Sequence, residues 1–495
     1  MADSSKAPST QGPDAERTTG KVIAISVVAA VGGFLFGFDS SVINGAVDAI
    51  TDQFALSALV SGLTVSCALL AAAVGAWFAG PLSDRMGRTR VMVIAAVAFG
   101  ISALGSGFAF AVWDLILWRV LGGLAIGAAS VIAPAYIAEV APAHVRGRLG
   151  SLQQLAITVG ILTALVSDAL IANTAGGAGE ETWFGLAAWR WMFLIGVVPA
   201  VVWAALALSV PESPRYLIAK GEDEEAGSVL QQVLGLRSAE AVRRKVAEIT
   251  TSMRREDKPS LRDLRGPRLG LLPVVWIGIL LSVFQQAVGI NVIFYYSTSL
   301  WNSVGFEESQ STILSVVTAV TNVIVTLVAI AIVDKVGRRP MLLVGSLGMA
   351  LSLALMTLAF TQSTGSGEDI SLPGMWGPAA LVGANLFIIF FGATWGPVVW
   401  VLLGEMFPGK IRAAALSVAA AAQWIANFII STTFPPLAEV GLPYAYGLYT
   451  LLAATSFFFV LKTVRETKGR SLEDMDEVST SALPGRRGRA AAGSS

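Results

Sequence analysis

Cysteine and histidine occur once each, as Cys67 and His144, so neither a disulfide framework nor a histidine or cysteine metal centre can be assembled from this chain. His144 reads as a solvated or structural residue. Charge is also scarce: 34 basic and 34 acidic residues among 495 leave a formal net charge of zero. That excludes the basic footprint of a nucleic-acid binder. No glycine cluster follows a strand and opens a helix as a phosphate loop must, and no nucleophile stands beside a base at the end of an apolar run. No enzyme class, catalytic residue, metal or cofactor is therefore expected. The first 20 residues hold no apolar stretch of their own and read as a disordered tail leading into a retained first span. The Gly/Ala/Arg-rich end after about Ser481 reads the same way.

What the chain has is apolar sequence. Hydrophobic residues make up 54% and the mean hydropathy is +0.68, far beyond the needs of a soluble core. With roughly 20 apolar residues per crossing, the pattern predicts an all-α membrane protein of twelve spans. They begin near Val22, Leu59, Val91, Trp113, Leu149, Trp191, Leu271, Thr312, Met341, Ala379, Ala413 and Tyr444. Every Lys and Arg except Arg119 and Arg190 falls on the even-numbered side, so the positive-inside rule puts both termini in the cytoplasm of a multi-pass protein in the cell membrane. The acids Asp48, Glu180, Glu307 and Glu368 are read as belonging to the opposite loops. The organisation that follows is a cytoplasmic tail over 1–20, a six-helix half over 21–210, a charged cytoplasmic helical linker over 211–270, a second six-helix half over 271–465 and a tail over 466–495. Trp113, Trp183 and Trp189 read as an outer aromatic belt. Gly33-x3-Gly37 and Gly123-x3-Gly127 read as close helix packing.

Two echoes reveal a duplication. Glu139 and Glu405 each end an apolar run and are followed three residues later by proline (Pro142, Pro408) and seven later by arginine (Arg146, Arg412). Asp84-Arg85-Met86-Gly87-Arg88 returns as Asp334-Lys335-Val336-Gly337-Arg338. Paired units around a midplane site are how secondary transporters are built. Asp84, Arg88, Glu139, Arg146, Arg148, Glu212, Asp334, Arg338, Glu405 and Arg412 fall at cytoplasmic helix ends. They are expected to form interhelical ion pairs that close a cytoplasmic gate in the outward-open state; surface pairs are individually weak, so only a network could bias a rocking motion.

One carboxylate, Asp39, sits about halfway along the first span, where a charge is costly unless paired, protonated or hydrated. Its expected partner is Arg119. Burial disfavours an ionised acid and a nearby guanidinium favours it, so a changing separation would convert conformation into proton affinity.

The segments Gly33-Phe34-Leu35-Phe36-Gly37-Phe38-Asp39, Asp84-Arg85-Met86-Gly87-Arg88, Trp118-Arg119-Val120-Leu121-Gly122-Gly123, Pro211-Glu212-Ser213-Pro214-Arg215, Gln285-Gln286 with Gly289-Ile290-Asn291, and Gln423-Trp424 with Asn427 occur in this order. Together they resemble the sugar porter family of the major facilitator superfamily, in particular its bacterial proton-coupled glucose and xylose symporters. The resemblance implies two pseudo-symmetric halves in the major facilitator fold and symport of a neutral monosaccharide, D-glucose first, with protons. D-xylose symport, a facilitative uniporter and a non-transporting membrane sugar sensor are the alternatives. No nucleic-acid partner is expected, and the unit in the lipid bilayer is expected to be a monomer. Uniporters tend to carry Asn where this chain has Asp39, which favours coupling. Two departures stand out: Arg465-Glu466-Thr467-Lys468-Gly469 replaces the usual Pro-Glu-Thr-Lys-Gly and is read as lying away from the site, and Gly196 stands near where the xylose type has an acid.

Amides suit a polyol because one planar group offers donors and an acceptor to adjacent hydroxyls. By the resemblance, Gln154, Gln285, Gln286, Asn291, Asn322, Gln423 and Asn427 contact sugar, with Phe36, Tyr296, Trp400 and Trp424 beside them. Gln423 and Asn427 lie about 40° apart on an ideal helix, and Gln285 and Tyr296 about 20°. Gln285 and Asn291 lie about 120° apart, so they converge only if span 7 is kinked near Gly289.

Overall fold

The computed structural model describes residues 20–142, 146–236, 238–255, 261–302, 304–364, 371–408 and 411–467. Residues 1–19 and 468–495, where the tails are expected, and His144 lie outside the described residues.

Among the described residues twelve helices are long and apolar enough to cross a membrane, and each begins within four residues of its place in the hydropathy pattern. In chain order spans 1 to 6 are Gly20–Gln53, Ala58–Met86, Arg88–Gly107, Val112–Val140, Arg146–Ala175 and Ala188–Ser209. Spans 7 to 12 are Pro273–Asn302, Glu308–Val336, Arg338–Thr361, Trp376–Met406, Arg412–Val440 and Leu442–Thr463. The helix of span 1 runs through Asp48, so this acid belongs to a span and not to the loop expected for it. Because the number of spans is even, Gly20 and Thr467 lie at the same face of the bundle, the terminal face; the other is the far face.

The repeated Asp-x-x-Gly-Arg signature is a hinge. Gly87 and Gly337 adopt φ of 95° and 107°, a region that glycine enters without a Cβ clash, and each joins two antiparallel spans through a single residue. Elsewhere small residues let backbones touch, as expected. A Cβ on Gly37 would meet the carbonyl of Ile157 in span 5, and one on Gly123 or Gly127 would meet Ala68 or Ala72 in span 2. Trp113 and Trp183 are exposed, but Trp189 is not part of an outer belt. It is fully buried, its indole N–H donates to Gln53 Oε1 at 2.8 Å, and Arg190 stacks on its ring at 4.4 Å.

The linker folds into helices Pro214–Lys220, Asp223–Leu234 and Ala239–Arg255. Leu217, Ile218, Val229, Leu230 and Val233 are buried in one core with Tyr136, Ile137 and Val140 of span 4. It therefore packs as part of the first half, on its terminal face. Spans 1 and 7, 2 and 11, and 5 and 8 make most of the contacts between the halves.

Candidate functional site

Span 7 breaks where the angular conflict requires it. The helix stops at Ala287, Gly289 takes φ 83° and a new segment starts at Ile290. That turn brings Asn291 back to Gln286, whose Oε1 accepts from Asn291 Nδ2 at 2.6 Å. Gln285 points toward span 10, donating from Nε2 to the carbonyls of Trp395 and Gly396, both at 3.1 Å. Span 10 is irregular there, with a π-turn over Phe391–Trp395 before Pro397. Such turns are frequent at functional sites. Tyr296 departs from helical geometry at φ −131° and donates to the Ser431 carbonyl at 2.9 Å.

Span 11 faces this break. Asn427 accepts from the Ser431 hydroxyl at 3.2 Å, and Trp424 meets Phe36 of span 1 edge to face at 5.3 Å. Asn322 is buried on span 8, its Oδ1 beside Gly392. Trp400 is 42% exposed. Gln154 is half-buried on span 5, next to Gln153, a residue that the sequence reading passed over. The buried side-chain oxygens Gln153 Oε1, Gln285 Oε1 and Gln423 Oε1 have no hydrogen-bonding partner. Native interiors seldom leave buried acceptors unmet, and three amide oxygens in this condition suit hydroxyl donors.

Asp39 lies one turn from Phe36 and is 6% exposed. No ion pair joins it to Arg119, contrary to the simplest expectation. Arg119 Nε donates to the Thr64 carbonyl at 3.1 Å and Nη2 to that of Val65 at 3.3 Å, with the guanidinium 5.7 Å from the Phe193 ring centroid. Asp39 Oδ2 and Arg119 Nη1 have no partner. Both residues are buried, one drawn to span 2 and the other left on span 1. Gly196 packs against Phe38 and Ala103.

At the terminal face the duplicated charges form two matching clusters. Arg88 holds Glu139 through Nε at 3.1 Å and Nη2 at 3.0 Å, and Asp84 at 3.1 Å. Arg338 holds Glu405 through Nε at 3.2 Å and Nη2 at 2.9 Å. These bidentate pairs link helices of the same half. Glu212 accepts from the backbone N–H of Arg88 at 2.9 Å and of Thr89 at 3.2 Å, capping span 3. Glu466 accepts from those of Arg338 and Arg339, both at 3.0 Å, capping span 9. Acids at helix N-termini satisfy otherwise free donors and complement the dipole. Ser213 donates to Glu139 and Thr467 to Glu405. The Arg465-Glu466-Thr467 segment thus lies away from the candidate sugar residues, as expected, and is a member of this terminal-face cluster. Arg146, Arg148, Asp334 and Arg412 belong to the described helices, but their side chains lie outside the described residues.

At the far face lies a joint between the halves that no motif in the sequence signals. Asn44 of span 1 donates to the Phe294 carbonyl at 2.9 Å and to Ser297 Oγ at 2.8 Å, and accepts from the Thr298 hydroxyl at 2.6 Å. Asp48 accepts from the Asn302 amide at 3.2 Å and from the Ser299 hydroxyl. Glu308 of span 8 accepts from the Ala178 backbone at 2.9 Å. Replacing Asn44 by Ala strands several of these partners. At about 1 kcal/mol per bond, it should shift the equilibrium toward an open far face by tenfold or more. Spin labels on Leu56→Cys and Phe306→Cys should then report a longer distance; an unchanged distribution would mean the joint does not hold the halves together.

Comparisons with known proteins fit this geometry. The model of the family described as "Sugar (and other) transporter" matches residues 25–478. A "Glucose transport protein" of Synechocystis sp. is 56% identical, with 92% of this chain and 97% of that protein covered. The "D-xylose-proton symporter" of Escherichia coli is 35% identical, with 92% and 95% covered. A solved structure of the xylose transporter from Escherichia coli, in an inward-open conformation, superposes with a TM-score of 0.78 at 34% identity, covering 92% of this chain and 99% of that one.

Proposed function

Since this chain belongs to the sugar transporter family, we propose that it imports D-glucose together with protons, by alternating access about the break in span 7. It is a multi-pass membrane transporter, not an enzyme. The observation that carries the coupling is Asp39: a carboxylate buried within the bilayer span, with one oxygen unbonded, beside an arginine that holds span 2 instead. In the cycle Arg119 approaches Asp39 in one state and leaves it in another, so the acid releases and binds a proton as the halves tilt. Gln285, Gln286, Asn291, Asn322, Gln423 and Asn427 hold sugar hydroxyls, with Gln154 on the facing half. Phe36, Tyr296, Trp400 and Trp424 bound the sugar path.

The distribution of Lys and Arg supports placing the terminal face in the cytoplasm and the protein in the cell membrane. The far face is then external, and the joint there corresponds to an inward-facing arrangement, in line with the inward-open relative. The charge clusters and the linker brace the helices of their own halves at the mouth of the cytoplasmic gate, and one chain in the bilayer suffices for transport. Glucose is favoured by the 56% identical glucose transport protein, and xylose symport is the second reading, on the 35% identical symporter. Purified protein in proteoliposomes should take up labelled glucose against its gradient when the inside is negative and the outside acidic, with xylose, galactose and mannose as competitors. Xylose competing better than glucose would reverse the two readings, and binding without flux would indicate a sensor.

A further inference from the structure

A second acid lies inside the membrane. Asp168, two turns before the end of span 5, is 1% exposed, and neither of its carboxyl oxygens has a hydrogen-bonding partner. It packs against Gly45 of span 1, where a Cβ would lie 2.7 Å from Asp168 Cβ and 3.0 Å from its Oδ2. The missing side chain at 45 makes the room for the acid. Ser41, one turn along the same face of span 1, is also buried, with its hydroxyl unpartnered.

Spans 1, 4, 6 and 8 pack on span 5, and none of their described charged groups bonds to Asp168. On span 1, Asp48 is bonded to span 7, Asp52 is exposed and Asp39 faces Gly122 of span 4. On span 8, Glu308 holds the Ala178 backbone. On span 6, Arg190 donates to the carbonyls of Gly107 and Ala109; on span 4, Arg119 holds span 2 and Asp114 accepts from the Phe110 N–H. An ionised carboxylate would find here no cation, and this packing favours the neutral acid.

We propose that Asp168 is a second proton-binding site, loaded from the external medium as the external ends of the halves close. The residue before Gly45 is Asn44, whose bonds to span 7 belong to the joint that alternating access must break. With that joint open, water reaches the outer part of the seam between spans 1 and 5, and Asp168 ionises. Closing the joint expels the water, and the carboxylate takes one proton from it. On reopening the proton returns to the same side, so Asp168 links closure to external pH without adding to the proton that Asp39 delivers inward.

This inference rests on the glucose/proton reading and is tested apart from it. Equilibrium exchange of labelled D-glucose, with the same pH on both sides of proteoliposomes, requires the loaded carrier to open and close but no net proton flow. With Asp39 and Asp168 both needing a proton, wild-type exchange on the alkaline side should fall about a hundredfold per pH unit, and with one site about tenfold. Asp168→Asn should reduce the fall to about tenfold, and so should Asp168→Ser, a smaller neutral residue that keeps the seam intact. A wild-type fall of only tenfold overturns the proposal without any variant, as does a hundredfold fall that survives in both variants. Absence of exchange at every pH would instead sink the glucose reading.

Discussion

Asp39→Asn should abolish sugar accumulation while leaving exchange of labelled sugar across the membrane measurable. Asparagine reproduces the shape of the protonated acid but cannot release a proton, so the carrier would equilibrate sugar like a uniporter. The size of the loss follows from the driving force. One proton moving through about 100 mV supplies roughly 2.3 kcal/mol, and at about 1.4 kcal/mol per decade that sustains an accumulation on the order of fifty-fold. The variant should fall to no accumulation at all, and a sugar pulse should no longer alkalinise the medium around de-energised cells. Retained accumulation would remove Asp39 from the coupling mechanism. The structure makes the substitution mild for the fold, because Asp39 makes no ion pair and Arg119 keeps its bonds to Thr64 and Val65 without it.

Gln285→Ala should weaken glucose binding by about five- to 150-fold, from the roughly 1–3 kcal/mol lost when a buried hydrogen-bonding group goes unmet. Two carbonyls of span 10 grip the Gln285 nitrogen, which fixes the direction of its free Oε1. That oxygen is an acceptor oriented before any sugar arrives, and losing it removes a contact that requires no reorganisation. Gln285→Glu keeps an acceptor but forfeits the grip, and should fall between the two. Equilibrium binding of labelled glucose to detergent-purified protein would measure the series. Wild-type affinity in the alanine variant would mean that sugar binds elsewhere.

The twelve spans were legible because a bilayer demands long apolar runs and nothing in the chain competes with that demand. The break at Gly289 was legible too, from two amides that an unbroken helix would point apart. What escaped the sequence reading depends on distant or conformational relations. Whether Asp39 touches Arg119 is a property of one state in a cycle, and residue types do not reveal which state is populated. Asn44 looks like any small polar residue in a span until span 7 is seen to offer it Phe294, Ser297 and Thr298. Asp168 lies in an apolar run with no motif around it, and its partner is a glycine, which carries no signal of its own. Gln153 was passed over for its neighbour Gln154, since consecutive residues of a helix face different ways and the run alone does not say which faces inward.

The capping of span 9 by Glu466 has a practical corollary for anyone handling this protein. What the linker does for one half through Glu212 and Ser213, the last described residues do for the other, so the carboxyl end is structural through Thr467. A reporter or affinity handle joined upstream of that threonine would strip a strut from the second bundle, whereas one placed beyond it keeps Glu466 and Thr467 in the chain.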